Sequence, residues 1–282
     1  MFDLPKPDIS FKESLLKTCN DEIIGIVTVQ NHNLNFRKTL EYDNKFVGLD
    51  AYQKYKEKCQ QPIILVIESP HVEEFKVHGV VDFISGLPTL SRPVNGVSGD
   101  NIRIHLLALL KTVSNILGDG LYPVIVMNAI QEQCSKGVDT CKFRTKTFIK
   151  LWPAKEAYLR DRLRMMNPKI IINACTAGDF YLNDGKKAYG SGNRNTFENH
   201  FIELLTSEFA YVPDSNSNDL KFLDSCNLSG LVMNVIHEMF INSETIIRKS
   251  THPAAWSYRS PQLRTYNNNV TTFKNPVEEV SD

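Results

Sequence analysis

Three short polar segments of this chain each follow an apolar run, and each carries a side chain suited to catalysis. Glu68 lies in ESPH, Asn128 in NAIQEQ and His252 in THPAAW. A carboxylate can stabilise a cation or activate water, a histidine can donate a proton or a hydrogen bond, and an amide both donates and accepts. Each also has a structural alternative, with Glu68 as a surface acid or helix cap, His252 as a hydrogen-bonded structural residue and Asn128 as a loop cap.

The apolar runs before these segments predict buried strands. They are the β-branched stretches IILVI (63–67), YPVIVMNA (122–129), KIIINAC (169–175) and TIIRK (245–249). Helical spacing predicts helices over 100–117 and 153–166, with Pro153 in the first turn of the second. The segment 231–240 fits either a strand or a helix.

Strands that alternate with helices predict an α/β fold, here a three-layer sandwich with a central parallel sheet. In such sheets, ligands bind beyond the carboxyl ends of the strands. Glu68, Asn128 and His252 are therefore expected to meet at one edge of the sheet.

The three residue types match what hydrolysis of an N-glycosidic bond requires. The sugar passes through an oxocarbenium-like state, by analogy with sugar hydrolysis, and Glu68 could stabilise that cation or activate water. The base leaves as an anion, so a donor such as His252 at its carbonyl oxygen would lower the barrier. A base flipped out of the helix must be recognised along its pairing edge, and Asn128 has a donor and an acceptor for this.

The order of several motifs resembles the uracil-DNA-glycosylase superfamily, especially its branch with a GEAPG first motif. The matching stretches run from residue 62 to about 262 and are IESPH (67–71), RPVNGVSG (92–99), VMN (126–128), NPKIIINACTAG (167–178) and THPAAW (251–256). The resemblance implies a uracil-DNA-glycosylase-like fold and a monofunctional DNA glycosylase that leaves an abasic site.

Carried over residue by residue, the resemblance assigns roles within these motifs. Glu68 matches the catalytic glutamate, His252 the histidine that faces the pyrimidine O2, and Asn128 the asparagine that contacts the base. Ser69 matches a small residue of the first motif, and Pro70 matches the proline that fixes the water-binding turn. His71, next in the chain, is either a base contact or a residue at a helix start.

The chain departs from the family pattern around the base pocket. Ile67 and His71 stand where the first motif has glycines, and Val94, beside Asn95, stands where the branch has an aromatic that stacks on uracil. Loss of a stacking ring forfeits about 1–3 kcal/mol per base and opens space. Val94 and Asn95 are therefore predicted to line a pocket for a bulky modified pyrimidine, such as glucosylated hydroxymethylcytosine in phage DNA, which would suit antiviral defence. Uracil, in base-excision DNA repair, is the alternative substrate.

Residues outside these motifs are predicted to contact DNA. The chain has 32 basic and 32 acidic residues, but no acidic residue lies between 245 and 277, so one basic face is expected. By the resemblance, the loop after His252 inserts where the base leaves the helix. The DNA-contacting candidates are Arg248, Lys249, Trp256, Tyr258, Arg259 and, in a glycine-rich loop, Arg194.

Two other function classes compete with a glycosylase. One is a non-catalytic member of the same fold that binds nucleic acid or a protein, against which the joint presence of Glu68 and His252 argues. The other is a nucleotide-processing hydrolase or transferase, but the chain has no Walker-type or G-x-G-x-x-G loop.

Cysteine spacing and hydropathy limit cofactors, partners and location. None of the six cysteines forms a C-x-x-C pair, so no iron–sulfur cluster, other metal or cofactor is predicted. No run of eighteen apolar residues and no secretory signal is present, so the expected protein is a cytoplasmic monomer that binds DNA and not membranes.

The 282 residues are divided by prediction into three parts. Residues 1–60 are taken as an N-terminal extension with a helical stretch near 49–58. Residues 61–265 form the glycosylase-like domain, with an insertion over 179–230, and residues 266–282 form a C-terminal tail.

Overall fold

The structure of the protein is a computed structural model. It describes residues 18–38, 56–75, 96–134, 140–181, 187–189, 199–201, 203 and 227–265. Among these residues, seven strands form one mixed sheet in the order β2-β1-β4-β3-β5-β8-β9. The strands are β1 Glu22–Gln30, β2 Asn33–Lys38, β3 Ile63–Ile67, β4 Gly120–Asn128, β5 Ile170–Asn173, β8 Ile246–Lys249 and β9 Arg264–Thr265.

The middle of the sheet is parallel, as the apolar runs predict. Strands β4, β3, β5 and β8 run in the same direction, whereas β1 pairs with β4 in antiparallel fashion and β9 pairs with β8 in the same way. Strands β3 and β5 are buried along their whole length and β4 over most of its length, which is why these strands are mainly apolar, whereas β8 is only partly buried and ends in Arg248 and Lys249. Their carboxyl ends share one edge, where the segments after Ile67, Asn128, Asn173 and Lys249 begin.

Helices cover both faces of the sheet. The long helices among the described residues are α1 Val97–Lys111, α2 Thr140–Met166 and α3 Leu228–Phe240. Because side chains alternate along a strand, Leu65 packs with α1 in one apolar cluster, and Ile64 and Val66 pack with α2 and α3 in the other. The molecule is thus an α/β protein with a helix layer on each side of its sheet.

Two predicted elements have different bounds in the structure. The helix expected to open at Pro153 begins at Thr140, so Pro153 lies inside α2 and that prediction is wrong. Proline lacks the N–H that would bond to the preceding turn, but a helix of this length retains enough other bonds and buried contacts to continue. The ambiguous segment 231–240 is helical, because its apolar residues extend back to Leu228 and Asn227 caps the first turn through a hydrogen bond from the Gly230 N–H (2.9 Å).

Part of the predicted N-terminal extension belongs to the sheet. Residues 22–38 form β1 and β2, and β1 pairs with β4 along one side of the parallel strands. Residue 60 is therefore not a boundary of the sheet. The predicted helical stretch near 49–58 lies mostly outside the described residues, and 56–58 form a turn.

Within the predicted insertion at 179–230, a small hairpin follows β5. Its strands are β6, Asp179–Tyr181, and β7, Lys187–Tyr189, which pair in antiparallel fashion. Strand β6 packs against α2. The first residue of this hairpin, Asp179, reaches the candidate site described next.

Candidate functional site

The Glu68 carboxylate is the point where the loops after several strands meet. Glu68 directly follows β3 and is 3% exposed. Its Oε1 lies 3.5 Å from Nη1 of Arg144, from α2. Its Oε2 accepts a hydrogen bond from the Thr176 backbone N–H (3.1 Å), after β5, and lies 3.4 Å from Nε2 of His252, after β8. Both carboxylate oxygens are therefore held by groups from three different parts of the chain.

The surroundings of Glu68 keep its carboxyl group ionised. Burial alone would raise the pKa of Glu68. The charge that His252 carries when it is protonated, the Arg144 cation and the backbone N–H donors outweigh this effect and lower the pKa below the ordinary value for glutamate. At neutral pH the site therefore contains a fixed, buried negative charge.

His252 approaches this carboxylate from a turn that is held by hydrogen bonds. It caps the short 3-10 helix Pro253–Ala255, because its Nδ1 accepts a hydrogen bond from the Ala254 N–H (3.2 Å). The Asn101 amide of α1 donates to the Pro253 carbonyl (2.9 Å) and ties this turn to the helix. Since Nδ1 is an acceptor, the proton of the neutral imidazole lies on Nε2, the atom that faces Glu68.

The imidazole of His252 is neutral at physiological pH. Burial lowers the pKa of His252 below its ordinary value, the Glu68 carboxylate opposes this shift, and the Arg144 charge adds to it. The site thus combines an ionised carboxylate with a neutral histidine whose Nε2–H is a hydrogen-bond donor.

Asn128 ends the neighbouring strand β4 and pairs in register with Ile67. Its side chain is fully buried, and among the described residues neither its amide nitrogen nor its amide oxygen has a hydrogen-bond partner. A buried amide without partners costs about 1–3 kcal/mol, so this side chain is well suited to bind a ligand that supplies both an acceptor and a donor. The loops after β3 and β4 are joined by the Ile130 N–H, which donates to the Glu68 carbonyl (3.0 Å).

A buried ion pair between Arg162 and Asp21 fixes the backbone where β4 ends, at Asn128 and Ala129. Nη1 of Arg162, from α2, lies 2.6 and 2.8 Å from the two carboxylate oxygens of Asp21. Nη2 of the same guanidinium donates to the carbonyls of Asn128 (2.9 Å) and Ala129 (3.1 Å). The backbone at Asn128 is thereby fixed to α2 and to the segment that precedes β1.

The other first-motif residues lie close to Glu68. Ser69 and Pro70 are buried, whereas His71 is exposed and its carbonyl accepts a hydrogen bond from the Glu74 N–H (3.0 Å) in the 3-10 helix Val72–Phe75. His71 thus lies just before a helical turn, one of the two positions predicted for it.

Two cysteines near the site are not suited to act as nucleophiles. Cys134 and Cys175 are both buried, and burial raises the pKa of each thiol above its ordinary value, with the Glu68 charge acting in the same direction. Neither sulfur is a thiolate at neutral pH, which is the form that attacks a substrate.

Arg144 is the site residue that the sequence analysis missed. Besides its contact with Glu68, its Nη2 lies 3.3 Å from Asp179 Oδ1, at the start of the hairpin. The only sequence signal was its position in a stretch rich in basic residues, Lys142 to Arg164. No spacing rule connects a residue of this helix with Glu68.

The predicted DNA-contacting residues do not all lie on the surface. Trp256 is 1% exposed and its Nε1 donates to the Thr251 carbonyl (2.9 Å), so it is a core residue that fixes the His252 loop, and its prediction as a DNA contact is corrected. Tyr258 is 79% exposed and Arg259 is exposed beside it. Arg248 and Lys249, at the end of β8, are half-buried.

The remaining predicted site residues, Val94, Asn95 and Arg194, lie outside the described residues. Within the described part of the chain, no group of three or more histidine, cysteine, aspartate or glutamate side chains is placed to hold a metal ion. In the same part, no helix is both long and apolar enough to cross a membrane.

Comparison of the chain with models of known protein families found no match, and neither the search of curated proteins nor the search of solved structures found a similar protein. The resemblance to the uracil-DNA-glycosylase superfamily therefore stays a prediction from the motifs.

Proposed function

We propose that this protein is a DNA glycosylase of the uracil-DNA-glycosylase type, which hydrolyses the N-glycosidic bond of a flipped base and leaves an abasic site. The observation that carries the proposal is the pairing of a buried, ionised Glu68 with a neutral His252 whose Nε2 is 3.4 Å away, at the sheet edge that also carries the unpartnered Asn128 amide. Such a reaction needs an ionised carboxylate, a neutral donor and a group that recognises the base, and all three residue types are present at this edge of the sheet.

In the proposed reaction, the bond between C1′ of the deoxyribose and the base nitrogen breaks and its electron pair leaves with the base. Glu68, ionised throughout, stabilises the positive charge on the sugar and orients the water that adds to C1′. The proton released by this water passes to the departed base or to solvent, so that free base and an abasic deoxyribose result. The one lysine within the matching motifs, Lys169, directly precedes β5 and so lies at the opposite end of this strand from the candidate site. A Schiff base and strand cleavage are therefore not part of the proposal.

His252 would act on the base side. Its Nε2 faces Glu68 at 3.4 Å, which is longer than the 2.7–3.2 Å of an ordinary N–H···O hydrogen bond. The donor is therefore not saturated and is available for a carbonyl oxygen of an incoming base. A neutral donor is sufficient here, because it stabilises the anion that develops as the base leaves.

Asn128 would recognise the base. Both ends of its amide lack partners among the described residues, and the pairing edge of a flipped pyrimidine offers both a donor and an acceptor. The proposed substrate is a bulky modified pyrimidine, such as glucosylated hydroxymethylcytosine in phage DNA, because Val94 stands where similar enzymes have a stacking aromatic.

The decisive experiment measures the released base directly. Duplex and single-stranded DNA containing uracil, hydroxymethylcytosine or glucosylated hydroxymethylcytosine is incubated with the protein, free base is identified by mass spectrometry, and abasic sites are detected as strand breaks that need alkali. Glu68→Gln, which keeps the size of the side chain and removes its charge, is the matched control. Release of no base from any DNA would reject the proposal.

The same assay separates the two substrate classes. Val94→Phe should decrease release of a glucosylated base while uracil release is maintained or increased, because the ring narrows the pocket and offers a stacking surface. Efficient removal of uracil by the wild type, with every hypermodified cytosine left intact, would reject the bulky substrate and retain the glycosylase.

A further inference from the structure

The Arg144 guanidinium bridges two carboxylates that come from different parts of the fold. Nη1 lies 3.5 Å from Oε1 of Glu68 and Nη2 lies 3.3 Å from Oδ1 of Asp179. The three side chains are 18%, 4% and 6% exposed, so this chain of charges is largely removed from water. Partly buried ion pairs are screened much less than surface pairs, which makes the arrangement effective at physiological ionic strength.

The Asp179 end of the bridge is itself fixed to α2. The Thr145 hydroxyl, next to Arg144, accepts a hydrogen bond from the Asp179 backbone N–H (3.1 Å) and donates to the Asp179 carbonyl (3.0 Å). Two consecutive residues of α2 therefore bind the first residue of the β6–β7 hairpin, Arg144 through its side chain and Thr145 through the backbone of Asp179.

We propose that Arg144 is a positioning residue for Glu68, and that the hairpin residue Asp179 in turn holds Arg144 in the orientation that this requires. The inference rests on the proposed role of Glu68 in base excision. Arg144 fixes Oε1, which leaves Oε2, the oxygen shared by the Thr176 N–H and His252, as the oxygen that faces the reaction. The β6–β7 hairpin, which lies within the predicted insertion 179–230, thereby helps to orient Glu68 through Asp179 and Arg144.

The effect of removing Arg144 on the pKa values of the site depends on the other titratable groups around Glu68. Arg144 is provided by α2, His252 by the loop after β8, and the thiols of Cys134 and Cys175 by the loops after β4 and β5. Of these, Arg144 is the permanent cation in direct contact with Glu68, since His252 is neutral at physiological pH. Loss of its charge should therefore raise the pKa of both Glu68 and His252.

A first experiment tests the arrangement without any glycosylase substrate. The imidazole of His252 is titrated by NMR in the wild type, Arg144→Gln and Arg144→Lys, with His252→Asn to assign the signal and Arg164→Gln as a matched control on the same helix. We expect an upward shift of the His252 pKa in Arg144→Gln, little change in Arg144→Lys, which keeps the charge, and none in Arg164→Gln. An unchanged or lowered pKa in Arg144→Gln would overturn the inference.

A second experiment tests the positioning of Glu68 through the reaction itself. Single-turnover excision is measured against pH on the DNA that the wild type processes. We expect Arg144→Gln to be slower by about a hundredfold, the scale of a misplaced catalytic group, with the acid limb of its pH profile at higher pH and with DNA affinity unchanged. Arg144→Lys should recover part of the rate, and Asp179→Asn should slow excision by a smaller factor than Arg144→Gln.

The two experiments separate failure of this inference from failure of the proposed function. A purely structural role for Arg144 predicts a loss that is equal at all pH values and parallels thermal stability, and that result would reject positioning. If the wild type releases no base, the proposed function fails, while the titration still decides whether Arg144 controls the charge at Glu68 and His252. Should Arg144→Gln not fold, the excision rates of Arg144→Lys and Asp179→Asn test the inference. Both should be slower than the wild type, and wild-type rates in both would overturn it.

Discussion

Nε2 of His252 lies 3.4 Å from Oε2 of Glu68, although the strands that lead to them are not neighbours in the sheet. Strand β5 separates β3 from β8, and the segment after β8 stays next to the end of β5, where the Ser250 N–H donates to the Asn173 carbonyl (2.9 Å). Thr176, which follows β5, bonds to the same carboxylate oxygen (3.1 Å). Glu68 and His252 are thus brought together by loops that converge beyond the sheet edge and not by adjacent strands.

Replacement of either member of this pair should decrease excision and spare DNA binding. Loss of a group that stabilises charge in the transition state, such as a donor to a developing oxyanion, costs about 10²–10³ in rate. Glu68→Ala and His252→Ala should therefore each slow single-turnover excision at least about a hundredfold, with DNA affinity nearly intact. Rapid-quench assays with alkali treatment, next to a binding titration, measure both quantities, and wild-type rates in both variants would contradict the proposed roles.

Acidification should destabilise the protein through His252 before it does so through Glu68. Because the pKa of His252 is lowered in the folded state, the unfolded chain takes up the proton first, and stability falls as the pH drops below the unfolded value of about 6.5. The pKa of Glu68 is also lowered, so its contribution is present above the unfolded pKa and is lost only as the pH falls through the lower folded value.

Urea denaturation of the wild type and His252→Asn between pH 5 and pH 8 tests this order. The free energy of unfolding should decrease more steeply between pH 7 and pH 5 in the wild type than in the variant, which lacks the titrating group. Equal pH dependence in the two proteins would show that the folded state does not resist protonation of His252.

Asn128 should contribute to recognition at the expense of stability. Its buried amide has no hydrogen-bond partner among the described residues, so Asn128→Leu, of similar size, should stabilise the free protein by about 1 kcal/mol or more. The same variant should discriminate poorly between bases. Chemical denaturation and a competition assay with two base-modified DNAs measure the two effects. A destabilised variant with unaltered base preference would mean that the amide is a structural residue.

The buried pair of Arg162 and Asp21 should be essential for folding. Removal of one partner from a buried ion pair leaves an uncompensated charge and typically costs about 3–5 kcal/mol, so Arg162→Ala should lose roughly that amount. Arg164→Ala, two residues along the same helix, breaks an ion pair whose side chains are 69% and 72% exposed and should cost about 0–1 kcal/mol. Urea denaturation compares the two, and equal losses would refute this account of the Arg162 cluster.

DNA binding should depend on the exposed residues that follow the His252 turn. Arg259→Glu should weaken binding to all sequences alike and reduce the salt dependence, because a phosphate contact carries no base information. Tyr258→Ala should decrease affinity with little change in stability, since the ring is 79% exposed, whereas Trp256→Ala should destabilise the protein. Fluorescence anisotropy at several salt concentrations measures binding, and a flat salt dependence in the wild type would contradict a phosphate interface here.

Local patterns in the sequence were sufficient for the parallel middle of the sheet and for the residues at its carboxyl edge. The apolar runs before Glu68 and Asn128 are strands because β-branched residues that are buried on both faces leave little alternative. Parallel strands bring their carboxyl ends to one edge, so the sequence also predicted where Glu68 and His252 lie. The strands β1 and β2 were missed although EIIGIVTVQ has apolar residues at alternate positions, because the polar residues around it obscured this period.

Only the tertiary structure decided which side chains surround Glu68. Arg144 and Asp179 become neighbours because strand β6 packs against α2, and neither has a periodic signal in the chain. Trp256 illustrates a prediction that packing overturned. Its position in a loop after a strand suggested a surface contact with DNA, but the packing of that loop buries the side chain. Secondary structure follows from residue patterns over a few positions, whereas contacts, burial and the resulting charge states depend on how distant elements pack together.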